Sequence, residues 1–444
     1  MTKRYIYDCL KEYARSAKLR LHMPGHKGRG GGLLKSVYRF DVTELDVTDN
    51  LACPSGAIML AENDLQKLTG AKKSYILTGG STLGIFAMLY AVKGMGKKII
   101  VQKNSHKSVF NALNLFGIEP IFLNQRISDG LVGPVLDNLP ELCDNDVIGA
   151  LLTSPDYFGR VLDLRYAAKV LREKNKVLLV DGAHGAHLKF TQPELYCGFF
   201  ANAWVDGAHK TLKTLTQGAL LNANDLSLSD GLREGLNVFA SSSPSFLIAA
   251  SVEDGVKSFS ELKPQVFLRF KRARNYVEAN LKKDYRIIDS CDKLKLCLDL
   301  RGRADAAELG AFLKKRGIFP ELAEGRFVIF ILSPEFSALS ARKLTGALNS
   351  FDRFKSSEPI KEEQSDICPV RVMPYSTAAN AEYEYVDLSL AKGRIAAGNA
   401  GLFPPCFPLI TCGEVYDNRV IAELLSKSTF GIENEKVKVV KQNR

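Results

Sequence analysis

The order of apolar runs predicts an α/β fold: a large domain built on a mostly parallel sheet wrapped by helices, then a smaller C-terminal α+β domain. Two observations carry this. Between residues 56 and 222, short β-rich runs alternate with helix-sized spacers, the spacing that parallel strands need because each crossover takes a dozen or more residues. After Ser241 to Pro244 the pattern changes to long helical periodicity and then to shorter strands.

The runs are KSYILT (73–78), KKIIVQ (97–102), EPIFLN (119–124), VIGALLTS (147–154), KVLLVD (176–181) and NAWVDG (202–207). Each is short, apolar and rich in β-branched residues, as strands buried on both faces are. Phe246 to Leu281 reads as helix broken near Pro264, and LKLCLDL (294–300) and GRFVIFIL (325–332) read as strands of the second domain. Asp352 to Ile367 is polar and charged, which predicts a linker or exposed loop. The expected division is an N-terminal arm at 1–50, a large domain at 51–265 and an α+β domain at 266–444.

Composition narrows the function. At 444 residues with 46% hydrophobic and 25% charged residues, the chain has room for large cores and resembles ordinary globular proteins. The longest apolar run, GIFAMLYAV (84–92), is about half of what spans a bilayer. MTKRYIYDCLKEYARSAKLR lacks the apolar centre of a secretory signal, so the expected compartment is the cytoplasm. Nine scattered cysteines without a CxxC pair argue against both a disulfide framework and a zinc site. The net charge of +11 on 444 residues is read as a solvated surface, so no nucleic-acid or membrane partner is expected.

All six histidines fall at strand ends or in glycine-rich turns: His22, His26, His106, His184, His187 and His209. Ligands of a parallel sheet sit at the carboxyl ends of its strands. KVLLVDGAHGAH places Asp181 at such an end, and NAWVDGAHK delivers Lys210 beside it. The pair is either an ordinary ion pair or the carboxylate and Schiff-base lysine of a pyridoxal phosphate (PLP) site. YILTGGSTLGIFAML supplies a third element, a strand that turns through glycines into a helix beginning with Ser81 and Thr82. Helix-start amides with hydroxyls beside them suit a phosphate. Phosphate loop, aspartate and lysine, in that order, favour PLP.

The chain also resembles the short bacterial form of the Orn/Lys/Arg decarboxylases, fold-type-I (aspartate-aminotransferase-like) PLP enzymes, over nearly its whole length. The motifs carrying the resemblance are HMPGHKG (22–28), DVTEL (41–45), TGGST (78–82), NSHKSV (104–109), DGAHGAH (181–187), AHKTLKTLTQGALL (208–221), SSSPSF (241–246) and FPPCFPLITCGE (403–414). The resemblance implies a PLP-dependent transferase-like large domain and pyridoxal 5'-phosphate as cofactor. It implies that Lys210 is the Schiff-base lysine, Asp181 the pyridinium partner and His106 the stacking ring. Ser81 with the amides of Gly80 and Thr82 would cradle the phosphate. His209 would serve in proton transfer or phosphate binding, and His184 would steady the Asp181 carboxylate, while His187 is expected to be structural. The implied reaction is decarboxylation of arginine, lysine or ornithine to a polyamine, by a homodimer whose N-terminal arm packs across the subunits. The alternatives are an altered reaction on the same fold, a lyase or aminotransferase, and a non-catalytic relative.

Several positions depart from the family pattern. Gly207 replaces a serine before the A-H-K run, a loss that Thr211 or Ser243 would have to offset. Gly182 replaces a larger residue, Asn50 and Ala52 replace an acid and a histidine, and Gly398 replaces a glutamate. Cys406 and Cys412 replace a glycine and a proline. Glu44, Asp46, Asp49 and Glu414 remain as candidate acceptors for the distal cation of a substrate.

Overall fold

The computed structural model describes residues 2–282, 284–354, 369–402, 407–426 and 429–442. Cys368, Cys406, Lys283, most of the expected linker and the FPPC portion of the last motif lie outside the described residues.

A seven-stranded sheet forms the centre: β1 (Lys73–Leu77), β2 (Lys98–Val101), β3 (Glu119–Phe122), β4 (Val147–Thr153), β5 (Val177–Gly182), β6 (Ala203–Asp206) and β7 (Ala219–Ala223), in the order β1-β7-β6-β5-β4-β2-β3. All six expected runs are strands. Neighbours from β3 to β6 pair in parallel, while β7 runs antiparallel to both β6 and β1. The seventh strand was not among the expected runs. The connection from β6 holds only the single helical turn Ala208–Thr211 rather than a crossover helix, and the chain returns beside β6 in the opposite direction.

The apolar run at 84–92 belongs to helix α3 (Gly80–Val92), which follows helices α1 (Tyr5–Ser16) and α2 (Ala57–Thr69). Apolar nearly all round, α3 lies in the main core between the sheet and the helix Ser229–Phe239. No helix among the described residues is long and apolar enough to cross a membrane.

Helix α1, the start of the expected arm, packs within its own chain. Its buried Ile6 and Leu10 pack with α2 and the helix Phe246–Ser260 of the same chain. Glu253 anchors its start, accepting from Tyr5 N–H at 2.7 Å and Ile6 N–H at 2.8 Å. The segment beyond α1 exposes large apolar side chains, among them Leu21 at 82% and Leu33 at 96%.

The expected break near Pro264 separates Phe246–Ser260 from Pro264–Asn280. Beyond it, β8 (Arg286–Ile288), β9 (Lys295–Asp299), β10 (Leu322–Glu324) and β11 (Phe327–Ile331) form an antiparallel sheet in the order β8-β9-β11-β10. Its core is separate from a second one around Ile410, Tyr416 and Val439 nearer the C-terminus.

Candidate active site

The carboxyl ends of β1, β4, β5 and β6 open into a cavity of about 1220 Å³, closed on its far side by Gly302–Phe327 and by residues around Leu402 and Arg419. Gly80, Ser81, Thr82, His106, Asp181, His184, His209 and Lys210 all line it. Of the remaining histidines, His187 is fully buried 2.8 Å from Asp292, and His26 meets Asp41 at 3.1 Å, outside the cavity.

Each side chain is placed by its element. Asp181 ends β5, in register with Val205 on β6, which sets it at the strand end neighbouring the one that leads to Lys210. The carboxylate is nearly inaccessible and its Oδ1 accepts from Ala183 N–H at 3.1 Å. Lys210 and His209 lie in a single helical turn, Ala208–Thr211, after β6. His209 is held by its Nδ1, 3.0 Å from the Gly218 carbonyl. His106 caps helix α4 (Lys107–Phe116), its Nδ1 accepting from Ser108 N–H at 3.2 Å. This bond fixes the ring plane.

Two assigned roles change. The Gly80 amide donates to the Gln217 carbonyl at 2.8 Å, so it is not directed at a phosphate. The polar group offered there is the Ser81 hydroxyl, buried and without a partner, an arrangement that calls for a ligand because an unmet buried hydroxyl is costly. His184 does not steady Asp181. Its Nε2 lies 3.0 Å from Lys210 Nζ and its Nδ1 3.2 Å from Lys295 Nζ, which occupies both ring nitrogens.

The departures also resolve. At Gly207 a Cβ would lie 2.3 Å from the Ala183 carbonyl oxygen and 3.0 Å from Ser81 Oγ. The Ser81 hydroxyl thus stands where the family's serine would reach, and neither Thr211 nor Ser243 lines the cavity. Asn50 and Gly398 are not cavity residues, and a Cβ at Gly398 would meet Lys438 at 3.3 Å. Asp49 is structural: its carboxylate accepts from Ser55, Gly56 and Ile58 N–H at 2.8–2.9 Å. Glu414 is ion-paired with buried Lys103 and accepts from Thr411 N–H at 2.7 Å. Neither acid reaches the cavity.

Sequence reading missed the loop after β4. Asp156 accepts from Phe158 N–H and Arg160 N–H, both at 2.9 Å, and from Arg160 Nε at 2.7 Å. Arg160 in turn donates to the Val132 carbonyl at 2.9 Å, and both residues line the cavity. The strand-end rule applied to VIGALLTS, followed by PDYFGR, would have pointed to them.

Burial dominates the electrostatics. It pushes the His106 pKa down against the opposing pull of Asp181, and pushes His209 down as well. His184 is driven well below the ordinary histidine value by burial and then by its neighbours Lys295 and Lys210. All three imidazoles are therefore favoured as neutral rings.

These residues fit PLP: an orphaned hydroxyl for the phosphate, a buried carboxylate for the pyridine nitrogen, a ring for its face and a lysine for its aldehyde. The comparisons agree. The model of the Orn/Lys/Arg decarboxylase major domain matches residues 5–268. The chain is 30% identical to the uncharacterized protein YaaO of Bacillus subtilis (strain 168), over 98% of this chain and 96% of the relative. It is 25% identical to the arginine decarboxylase of the same organism, over 96% and 94%. Constitutive lysine decarboxylase of Escherichia coli superposes with a TM-score of 0.79 at 18% identity, covering 99% of this chain and 82% of that one. The chain belongs to the Orn/Lys/Arg decarboxylase family, whose cofactor is pyridoxal phosphate.

Proposed function

We propose that this protein decarboxylates a basic L-amino acid, arginine, lysine or ornithine, to the corresponding amine, in the cytoplasm and as a homodimer serving polyamine metabolism. The observation that carries the reading is the convergence of Lys210, Asp181, His106 and Ser81 on one cavity. When bound, PLP supplies an electron sink for the bonding pair left as carbon dioxide departs. Asp181 would keep the pyridine nitrogen protonated, and the His106 ring would orient the plane. Ser81 Oγ would hold the phosphate. Lys210 Nζ, with His209 beside it, would carry the proton that returns to the substrate carbon.

The test is an absorbance scan with PLP, then carbon dioxide release from arginine, lysine and ornithine separately. A band near the visible edge that Lys210→Ala abolishes, with gas from one substrate and turnover lowered by roughly 10³-fold or more in that variant, is the expected result. A band without gas would move the reading to another PLP reaction. No band would favour a non-catalytic relative.

A further inference from the structure

Behind the cavity wall a second lysine faces the first across one imidazole. Lys295, at the start of β9, is completely buried, yet its ammonium reaches out of the second sheet to His184 Nδ1 at 3.2 Å, while Lys210 holds Nε2 at 3.0 Å. The approach is built. Gly159 has φ +84°, and a Cβ there would lie 2.9 Å from Lys295 Cγ, so the loop after β4 leaves a channel for the lysine stem. The Lys295 side chain also lies against the Tyr157 ring, with Nζ 5.5 Å from its centroid.

Proton counting decides what this row of three groups holds. A neutral imidazole has one donor and one acceptor, so it accepts from one amine and donates to the other. Lys295 and Lys210 cannot both be ammonium ions with both bonds made. With both bonds made, the row holds at most one ammonium ion. The charge falls to Lys295, which the buried Asp292 carboxylate faces from its own segment, against the opposition of burial, the largest influence, and of Lys210. Glu321 and Cys297 are its other charged or titratable neighbours on the second sheet, and His106 and His209 face His184 from the large domain. Asp181 faces His106, and His187 is already paired with Asp292.

We propose that Lys295 is a positioning residue for Lys210: its buried ammonium donates to His184 Nδ1, fixes the Nε2–H tautomer, and so holds Lys210 as the neutral amine. A neutral amine is the form that attacks a carbonyl carbon. The second sheet thereby sets the nucleophilicity of a lysine on the first.

Reductive methylation of the full-length, cofactor-free chain with formaldehyde and a borane, read by peptide mapping across pH, measures how much of Lys210 is neutral. The exposed lysines of the same sample are the reference. In Lys295→Met the Lys210 midpoint should rise by about one pH unit or more, a tenfold loss of labelling at a fixed lower pH. An unmoved midpoint in a folded variant overturns the proposal. Lys295→Arg, which restores a buried cation and donor, should recover the native midpoint. A second measurement needs no change at Lys295. The ¹⁵N resonances of His184, assigned by their loss in His184→Gln, should show Nε2–H in the native chain, and Nδ1–H would overturn the proposal. The consequence for chemistry rests on the proposed function, but methylation does not. Labelling as expected with no visible band on adding PLP would remove the PLP reading and leave the role of Lys295 intact.

Discussion

Gly207 shows how one missing side chain relocates a contact rather than deleting it. The serine expected there would put a Cβ 2.3 Å from the Ala183 carbonyl, and the Ser81 hydroxyl already occupies the neighbouring space. Gly207→Ser is therefore expected to lower stability by about 1–3 kcal/mol through overpacking and to weaken PLP binding. Thermal melts and a PLP titration check it, and tighter binding would show that the hydroxyl had been missing after all. At this scale the sequence was legible wherever chemistry followed from a strand end, as at Asp181 and Lys210. It misassigned His184, whose second partner is 111 residues away.

At the scale of elements, β6 and β7 are tied together by a buried carboxylate. Asp206 Oδ2 accepts from Tyr196 Oη at 2.7 Å and from Trp204 Nε1 and Asn222 Nδ2 at 3.0 Å, while Oδ1 is buried without a partner. Trp204 and Asn222 are direct register partners, so the network spans the antiparallel pair that sequence reading did not anticipate. Burial raises the Asp206 pKa from 3.8 to about 7, against the opposing hydrogen bonds of Tyr196 and Trp204. The folded chain then binds a proton that the unfolded chain has lost, so this group's contribution is greatest below the unfolded pKa and declines as pH rises through about 7. Glu62, raised to about 7 by burial, acts with the same sign. Melting temperature should fall between about pH 4 and 7 and level off above that, less steeply in Asp206→Asn. Equal slopes in the two proteins would remove Asp206 as a cause.

Across the whole molecule, the cavity joins the first sheet to Gly302–Phe327 and to the C-terminal segment, so distant parts of the chain complete one site. The exposed Leu21, Met23 and Leu33 in the segment after α1 are what a second copy would cover. Sedimentation should give twice the chain mass, and Leu21→Asp with Leu33→Asp should shift it toward the monomer by tenfold or more in dissociation constant. A native protein sedimenting as a monomer would refute the homodimer. The far part of the chain was the least legible. Region 266–444 reads as one α+β unit in sequence but its described residues divide among more than one apolar core, because short strands do not announce which partners they pair with.

The sequence by itself determined six of the seven large-domain strands, their strand-end residues and the family, because alternating apolar runs and the local order TGGST, DGAHGAH and AHK are properties of contiguous residues. Tertiary structure alone decided the direction of β7, the space at Gly207 and the placement of Lys295 against His184. Lys295 sits in an apolar strand whose pattern says only that it is buried or not. The neighbours that give its charge a use, His184 and Tyr157, come from another sheet's strand ends, and no local pattern encodes that meeting.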